Sequence, residues 1–374
     1  MISNFKSNIK NNFINSLGWR TDKKYLVIQS DDWGAERVPS YISNKNLLHA
    51  GLNLDKCHYL KYDSIASDDD LYLLFDLLSS FKDYAGNSPI LNANIILNNP
   101  DFKKIKDSNY SNYFSVDLKE TFQRAGKFNK KTLSIWNSAK EDSLFHPQLH
   151  GFHHLNHIRW LEYLRSEIKV VLNAFDLGIF GVSKNSTNEF DKSILAAFDY
   201  DEIQDNPKLI SFLYKSFSDF NNYFNFHSKS FIAPNYVWSD EVERALKDNN
   251  VKFIQTASVQ RIPGGTNNYK YKRHYTGKTN KYNQKYIMRN VIFEPSENTN
   301  IDWVDKCLKE IEIAFFWKKP AIISSHRVNY VGVRNKKNRD DSLFSLKQLI
   351  NKSLKRWPDI EFVTTEHLGN LIQN

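Results

Sequence analysis

Cysteine is nearly absent: the 374 residues hold only Cys57 and Cys307, far apart and with no Cys-x-x-Cys pair. That argues against a disulfide framework or a thiolate zinc site, and it fits a reducing compartment. Long apolar runs are missing too. No stretch approaches the ~20 residues that a bilayer-spanning helix needs. Residues 1–20 are rich in Asn, Ser and Lys and lack the apolar centre of a signal peptide. The expectation is a cytoplasmic protein with no transmembrane segment, at most peripheral to a membrane. No block of Lys and Arg is long enough to make a nucleic-acid arm, and the nearest, at 270–275, mixes basic and aromatic residues and stands alone. Repeats, low-complexity tracts and interdomain linkers are also lacking. One domain over 1–374 is therefore expected, with 1–20 as an N-terminal extension and 261–285 as a long polar excursion.

What the chain does have is core-forming material and positive charge. Hydrophobic residues make up 41% and aromatic residues 14%, ample for a large interior, and the formal net charge is +9, which suits an anionic partner or substrate. Apolar runs of strand length at 25–30, 90–97, 230–233, 251–255, 286–293, 321–325 and 360–363 alternate with helical patterns. Leu71, Leu74 and Leu78 share one helical face behind the N-cap candidate Ser67, and Trp160, Leu164, Ile168 and Val171 share another. Alternating strands and helices predict a parallel sheet with helices outside it, open or closed as a barrel.

Three strand-like segments end in residues able to do chemistry. The first ends in two adjacent carboxylates, Asp31 and Asp32, followed by Trp33 and Gly34. Side chains of neighbouring strand residues point apart, but a turn at a strand end lets both converge on one place. A lone Asp pair after a strand can equally be a turn or a helix cap. The segment from Leu144 leads into His150-Gly151-Phe152-His153-His154, and five of the eleven histidines lie between His146 and His157. Four-residue spacing places His150 and His154 on one face if this is the opening turn of a helix, and imidazole is the commonest metal ligand. The third run, Ala321 to Ser325, ends in His326 and a polar quartet, Arg327 to Tyr330. Ser324 and Ser325 lack the Gly-x-Ser-x-Gly setting of a nucleophile. One carboxylate with two imidazoles suits catalytic zinc, with positions left for water and substrate.

In this order and wording the motifs resemble the polysaccharide deacetylases of the NodB-homology type, carbohydrate esterase family 4 and its relatives, over nearly the whole chain. Ser30-Asp31-Asp32-Trp33-Gly34 resembles that family's acid pair, His150-Gly151-Phe152-His153-His154 its two-histidine motif, Ile232-Ala233-Pro234-Asn235 loosely its Arg-x-Pro-Tyr motif, and Ser325-His326 its late histidine. The wider wording is similar to a bacterial subgroup of glycosyl deacetylases from O-antigen and capsule gene clusters.

The resemblance implies an irregular (β/α)7 barrel of the glycoside hydrolase/deacetylase type. It implies one divalent ion, zinc by preference, on Asp32, His150 and His154, with Asp31 as base and His326 as acid. The backbone of Asn235 would help hold the oxyanion, and Tyr236, Trp33, Arg327 and Tyr330 would meet substrate, with Trp238 as a further stacking candidate. The chain departs from the family where Ile232 stands in place of the arginine that orients the base; that support is either missing or comes from Arg37, Arg289 or Arg327. The implied reaction removes an acetyl group, N-acetyl before O-acetyl, from a sugar of bacterial surface-polysaccharide biosynthesis; the carrier stays open between nucleotide, lipid and finished glycan, and the net positive charge suits a nucleotide- or lipid-phosphate link. Two other readings are a glycoside hydrolase, with Glu294 as a further carboxylate, and a degenerate barrel that only binds carbohydrate.

Overall fold

A computed structural model describes residues 2–266 and 268–373, without the side chains of residues 2–8 and 127. Its centre is a parallel sheet of β1 (Lys24–Trp33), β2 (Leu91–Ile96), β3 (Phe145–Gly151), β4 (Ser230–Ile232), β5 (Phe253–Thr256), β6 (Lys285–Met288), β7 (Val291–Ile292), β8 (Ala321–His326) and β9 (Ile360–Phe362). The order is β6-β5-β4-β3-β2-β1-β8-β7, with β9 beside the start of β1. The two ends of that order, β6 and β7, are consecutive stretches of one segment, parted only by Arg289 and Asn290. One edge pairs with β5 and the other with β8, so this segment draws the sheet round into an irregular (β/α)7 barrel.

Alternation along the strands sorts residues into an outer and an inner set. The outward residues Leu26, Ile28, Leu91, Ala93, Leu149, Phe231, Ile254 and Ile323 join the largest apolar cluster beneath the surrounding helices. The inward residues form layers. Val27, Phe253, Ile287 and Ile322 make an apolar floor, closed from below by Leu368 of the last helix, Thr365–Gln373. Gly369 of that helix lies so close to the Phe253 ring that an added Cβ would approach it to 2.5 Å. Above the floor sits a layer of amides. Gln29 donates to Thr365 Oγ1 at 2.8 Å, and Gln255 donates to Gln148 at 2.9 Å and to Asn94 at 3.0 Å. These groups are fully buried, and mutual hydrogen bonding offsets their desolvation.

The excursion at 261–285 is only partly loop. Val259–Pro263 and Tyr269–Arg273 pair as an antiparallel hairpin, because Pro263-Gly264-Gly265 supplies its turn. Several helices escape the periodicity reading, the longest of them Ile2–Asn15, Asn206–Phe224 and Thr132–Glu141. The first occupies most of the expected extension. No helix of the described residues is long and apolar enough to cross a membrane.

Candidate metal and acid-base centre

The acid pair owes its geometry to a bulge. Pairing between β1 and β2 shifts register between Ser30 and Trp33, and Asp32 takes a left-handed backbone at φ 73°. Both carboxylates consequently turn inward at the top of the barrel, and both are buried. Gly34, at φ +89°, completes the bend where a Cβ would lie 2.3 Å from the carbonyl oxygen of Ile96.

His150 and His154 come together differently from the helical expectation. His150 lies in β3, His154 in the turn that follows, and the helix His157–Arg165 begins only later. Gly151, at φ +123°, bends the chain at the strand end and brings the two rings to 5.1 Å between centroids. Their Nε2 atoms lie 3.7 and 3.4 Å from Oδ1 of Asp32. One ligand atom from each of the three residues falls within 4.8 Å of the others. His150 Nδ1 lies 2.9 Å from the carbonyl oxygen of Ile232, which fixes that nitrogen as donor and turns the Nε2 lone pair towards Asp32. Asp32 Oδ2 and His154 Nδ1 are buried with no hydrogen-bond partner among the described residues. Burial, with the nearby Arg37 guanidinium, holds His154 well below its ordinary range and so keeps its ring neutral. A neutral His154 ring and the Nε2 of His150, both facing a carboxylate with an orphaned oxygen, fit a divalent cation. The other oxygen of Asp32 accepts from Arg37 at 2.7 Å, and Arg37 packs on the Tyr59 ring.

Asp31 is held by a two-pronged clamp. Arg289 donates to its Oδ2 at 2.7 Å and to its Oδ1 at 2.6 Å, and Asn94 adds a bond to Oδ1 at 2.7 Å. Burial alone would raise this carboxyl, but Arg289 outweighs it and holds Asp31 well below the usual carboxylate range. Of the three arginines that could replace the one missing at Ile232, Arg289 is the one on Asp31. Arg37 binds Asp32 instead, and Arg327 binds Asp63.

His326 stands opposite Asp31 in register, its Nε2 3.8 Å from Oδ2. Its Nδ1 donates to Glu294 Oε1 at 2.6 Å, while Asn329 steadies the other carboxylate oxygen at 2.8 Å. Burial pushes the imidazolium down, but Glu294 and then Asp31 outweigh this and lift His326 to about 9.

A cavity of about 800 Å³ opens over Asp31, His150, His154 and His326. Asn235 and Tyr236 border it from a strained turn, both left-handed at φ 57° and 55°. Tyr236 Oη accepts from Arg289 at 3.2 Å, and the Asn235 side chain donates to Ser193 Oγ at 3.2 Å. Other expected substrate contacts, Trp33, Arg327, Tyr330 and Trp238, do not line the cavity. Trp33, at 1% exposure, packs against Phe145 with Nε1 on Ser30; an odd residue beyond the bulge has turned into the core. Arg327 is spent on Asp63 and on the Asp32 carbonyl, and Tyr330 on Ser325; Trp238 is buried against Glu243. Tyr59 and Tyr62, which drew no notice in the sequence, line the cavity instead. The carboxylate of Glu294 could have been suspected as His326's partner, since it directly follows the strand run at 286–293.

No family model matches the chain, and no curated relative does. Solved structures are similar only at low identity. A candidate polysaccharide deacetylase from Mycobacterium smegmatis aligns at 8% identity and TM-score 0.46, over 96% of this chain and 93% of that one. A candidate glycoside hydrolase/deacetylase from Parabacteroides distasonis gives 9% and 0.48, over 94% and 72%. A 4-alpha-glucanotransferase from Thermococcus litoralis gives 9% and 0.45, over 93% of this chain, which spans only 40% of its length. At these values nothing about activity passes from those proteins to this chain.

Proposed function

We propose that the protein is a metal-dependent hydrolase that removes an acetyl group, N-linked by preference, from a sugar. The observation that carries this is the joint placement, at one cavity, of a buried Asp-His-His set and a carboxylate–imidazolium pair tuned in opposite directions. Asp32, His150 and His154 would hold the ion, for which zinc suits the ligand set. When bound, such an ion polarises an acyl oxygen and eases deprotonation of water.

The rest falls to the chain's own groups. Asp31, kept ionised by Arg289 and Asn94, accepts the proton of the attacking water on its carboxylate. Its clamp fixes the oxygens as well as the charge, so the proton acceptor needs no reorganisation. His326, kept protonated by Glu294, gives its Nε2 proton to the departing amine nitrogen. Separated by 3.8 Å, the two groups can serve successive proton transfers at one reacting carbon. The half-buried Tyr236 and Asn235, which border the same cavity, would orient the acyl group.

The same tuning speaks against glycoside hydrolysis. That reaction needs one carboxylic acid that keeps its proton, whereas Asp31 and Asp32 are each fixed on an arginine and Glu294 on an imidazolium.

The test is acetate release from N-acetylated sugars by zinc-loaded protein, with metal content measured alongside. Asp31→Asn should lose turnover and keep its ion, while Asp32→Ala and His150→Ala should lose the ion as well. Full activity in Asp31→Asn, or stoichiometric metal in His150→Ala, would overturn these roles.

A further inference from the structure

The charges of the cavity fall into two groups. Those at its floor are already matched: Asp31 with Arg289, Asp32 with Arg37, His326 with Glu294. Those towards the opening are not. Lys56, Lys61, Lys184 and Arg261 line the cavity, and none of them is in an ion pair among the described residues; the carboxylates facing the same space are Asp55 and Glu297. Four unmatched cations against two carboxylates leave an excess positive charge over a low-dielectric hollow, which concentrates anions.

Arg261 is the most constrained of the four. It sits in the hairpin strand Val259–Pro263, bridged to Val237, and its carbonyl accepts from the N–H of Trp238 at 3.2 Å. Its guanidinium donates to the carbonyl oxygen of Asn235 at 3.2 Å and lies over the Tyr269 ring, 5.7 Å from the centroid. One donor edge therefore supports the strained Asn235–Tyr236 turn, while the planar fork, half-buried, borders the cavity. Lys184 and Lys56 approach from two other loops, and Lys61 from the short helix His58–Tyr62. A stacked guanidinium with ammonium groups on other loops is the arrangement that recognises phosphoryl oxygens. It exceeds what a single sugar carboxylate would require.

We infer that the cavity takes its sugar as a phosphoryl-linked donor, a sugar diphosphate, with Arg261 and Lys184 reading the phosphate oxygens while the acyl group reaches the floor. This rests on the deacetylase reading for what lies at the floor, though the cationic opening stands on its own residues. The diphosphate could belong to a nucleotide or to a lipid carrier; the chemistry at the opening is the same.

The experiment is equilibrium binding and acetate release with the zinc-loaded full chain at low and high salt. The probes are N-acetylglucosamine, UDP-N-acetylglucosamine, an N-acetylglucosamine diphosphate lipid in phosphatidylcholine vesicles, and N-acetylhexosaminuronic acid. At least one diphosphate probe should bind roughly 10- to 100-fold tighter than the neutral sugar, an advantage that shrinks with salt. Arg261→Gln with Lys184→Gln should remove that advantage, and Lys309→Gln, on the outer helix Trp303–Phe316, should not. Whichever diphosphate probe is preferred identifies the carrier. Equal binding of neutral and diphosphate sugars, an unaltered preference in the double variant, or a uronic acid binding as well as the diphosphates would each overturn the inference. Acetate released equally from neutral sugar would sink it while leaving the deacetylase reading intact. Selective diphosphate binding with no acetate from any probe would do the reverse.

Discussion

Glu294→Gln isolates the electrostatics of the site with hardly any change of shape. The glutamine can still accept from His326 Nδ1, where the carboxylate now does so at 2.6 Å, but the negative charge is gone. Burial, the largest influence on His326, already opposes the charged form, and Glu294 is the main reason it is overcome. Without that charge His326 should fall from about 9 to its ordinary value of about 6.5 or lower, a loss of about 3 kcal/mol in preference for the imidazolium. At pH 8 the protonated fraction then drops from about 90% to about 3%, a roughly 30-fold loss of the form able to donate a proton. The assay is the pH dependence of kcat/KM for acetate release. The alkaline limb, near 9 in the parent, should move below about 7 in the variant. Activity near pH 6 should remain within a few-fold of the parent. The same linkage acts on folding. Because the folded value is raised, His326 contributes its full stabilisation below about 6.5 and loses it as pH climbs through about 9. An alkaline limb left in place by Glu294→Gln would refute the assignment of His326 as the proton donor.

Arg289→Met should destabilise the fold by about 3–5 kcal/mol in urea titration, because it strands a buried carboxylate. It should also move the acid limb of the activity profile upward, as Asp31 loses its clamp; an unchanged acid limb would contradict the clamp's role. Stability should fall steeply on acidification. His146 and His157 are held down at about 4 and His274 at about 3, all chiefly by burial, so the unfolded chain binds protons that the folded one refuses. Stability is complete above about 6.5 and declines towards 4 by up to about 4 kcal/mol per pH unit, the sum of ~1.4 per group; a melting temperature flat between pH 7 and 5 would contradict it. Gly34→Ala, with its Cβ driven against the Ile96 carbonyl, should cost at least ~1–3 kcal/mol and reduce metal affinity by displacing Asp32, which thermal unfolding with and without zinc would measure.

The strand and helix patterns of the sequence were enough for a parallel sheet and for the order of its chemistry, while the closure into a barrel entered through the family resemblance. Apolar runs of strand length ending in Asp31–Asp32, at His150 and in His326 place three polar clusters at one end of such a sheet, because parallel strands all point the same way. It did not reveal which side chains face each other. The replacement for the arginine missing at Ile232 could have been any of three, and only the kink that parts β6 from β7 put Arg289, and not Arg37 or Arg327, on Asp31. The His150–His154 spacing pointed to a helix, yet the two rings meet because Gly151 bends a strand end. Trp33, Arg327 and Tyr330 looked like substrate contacts from their proximity to the motifs, but local proximity says nothing about the direction of a side chain after a bulge. Spacing along a chain constrains neighbours on one element. Pairing between Asp31 and Arg289, or His326 and Glu294, depends on how separate strands close around a common axis, and that is decided only when the barrel forms.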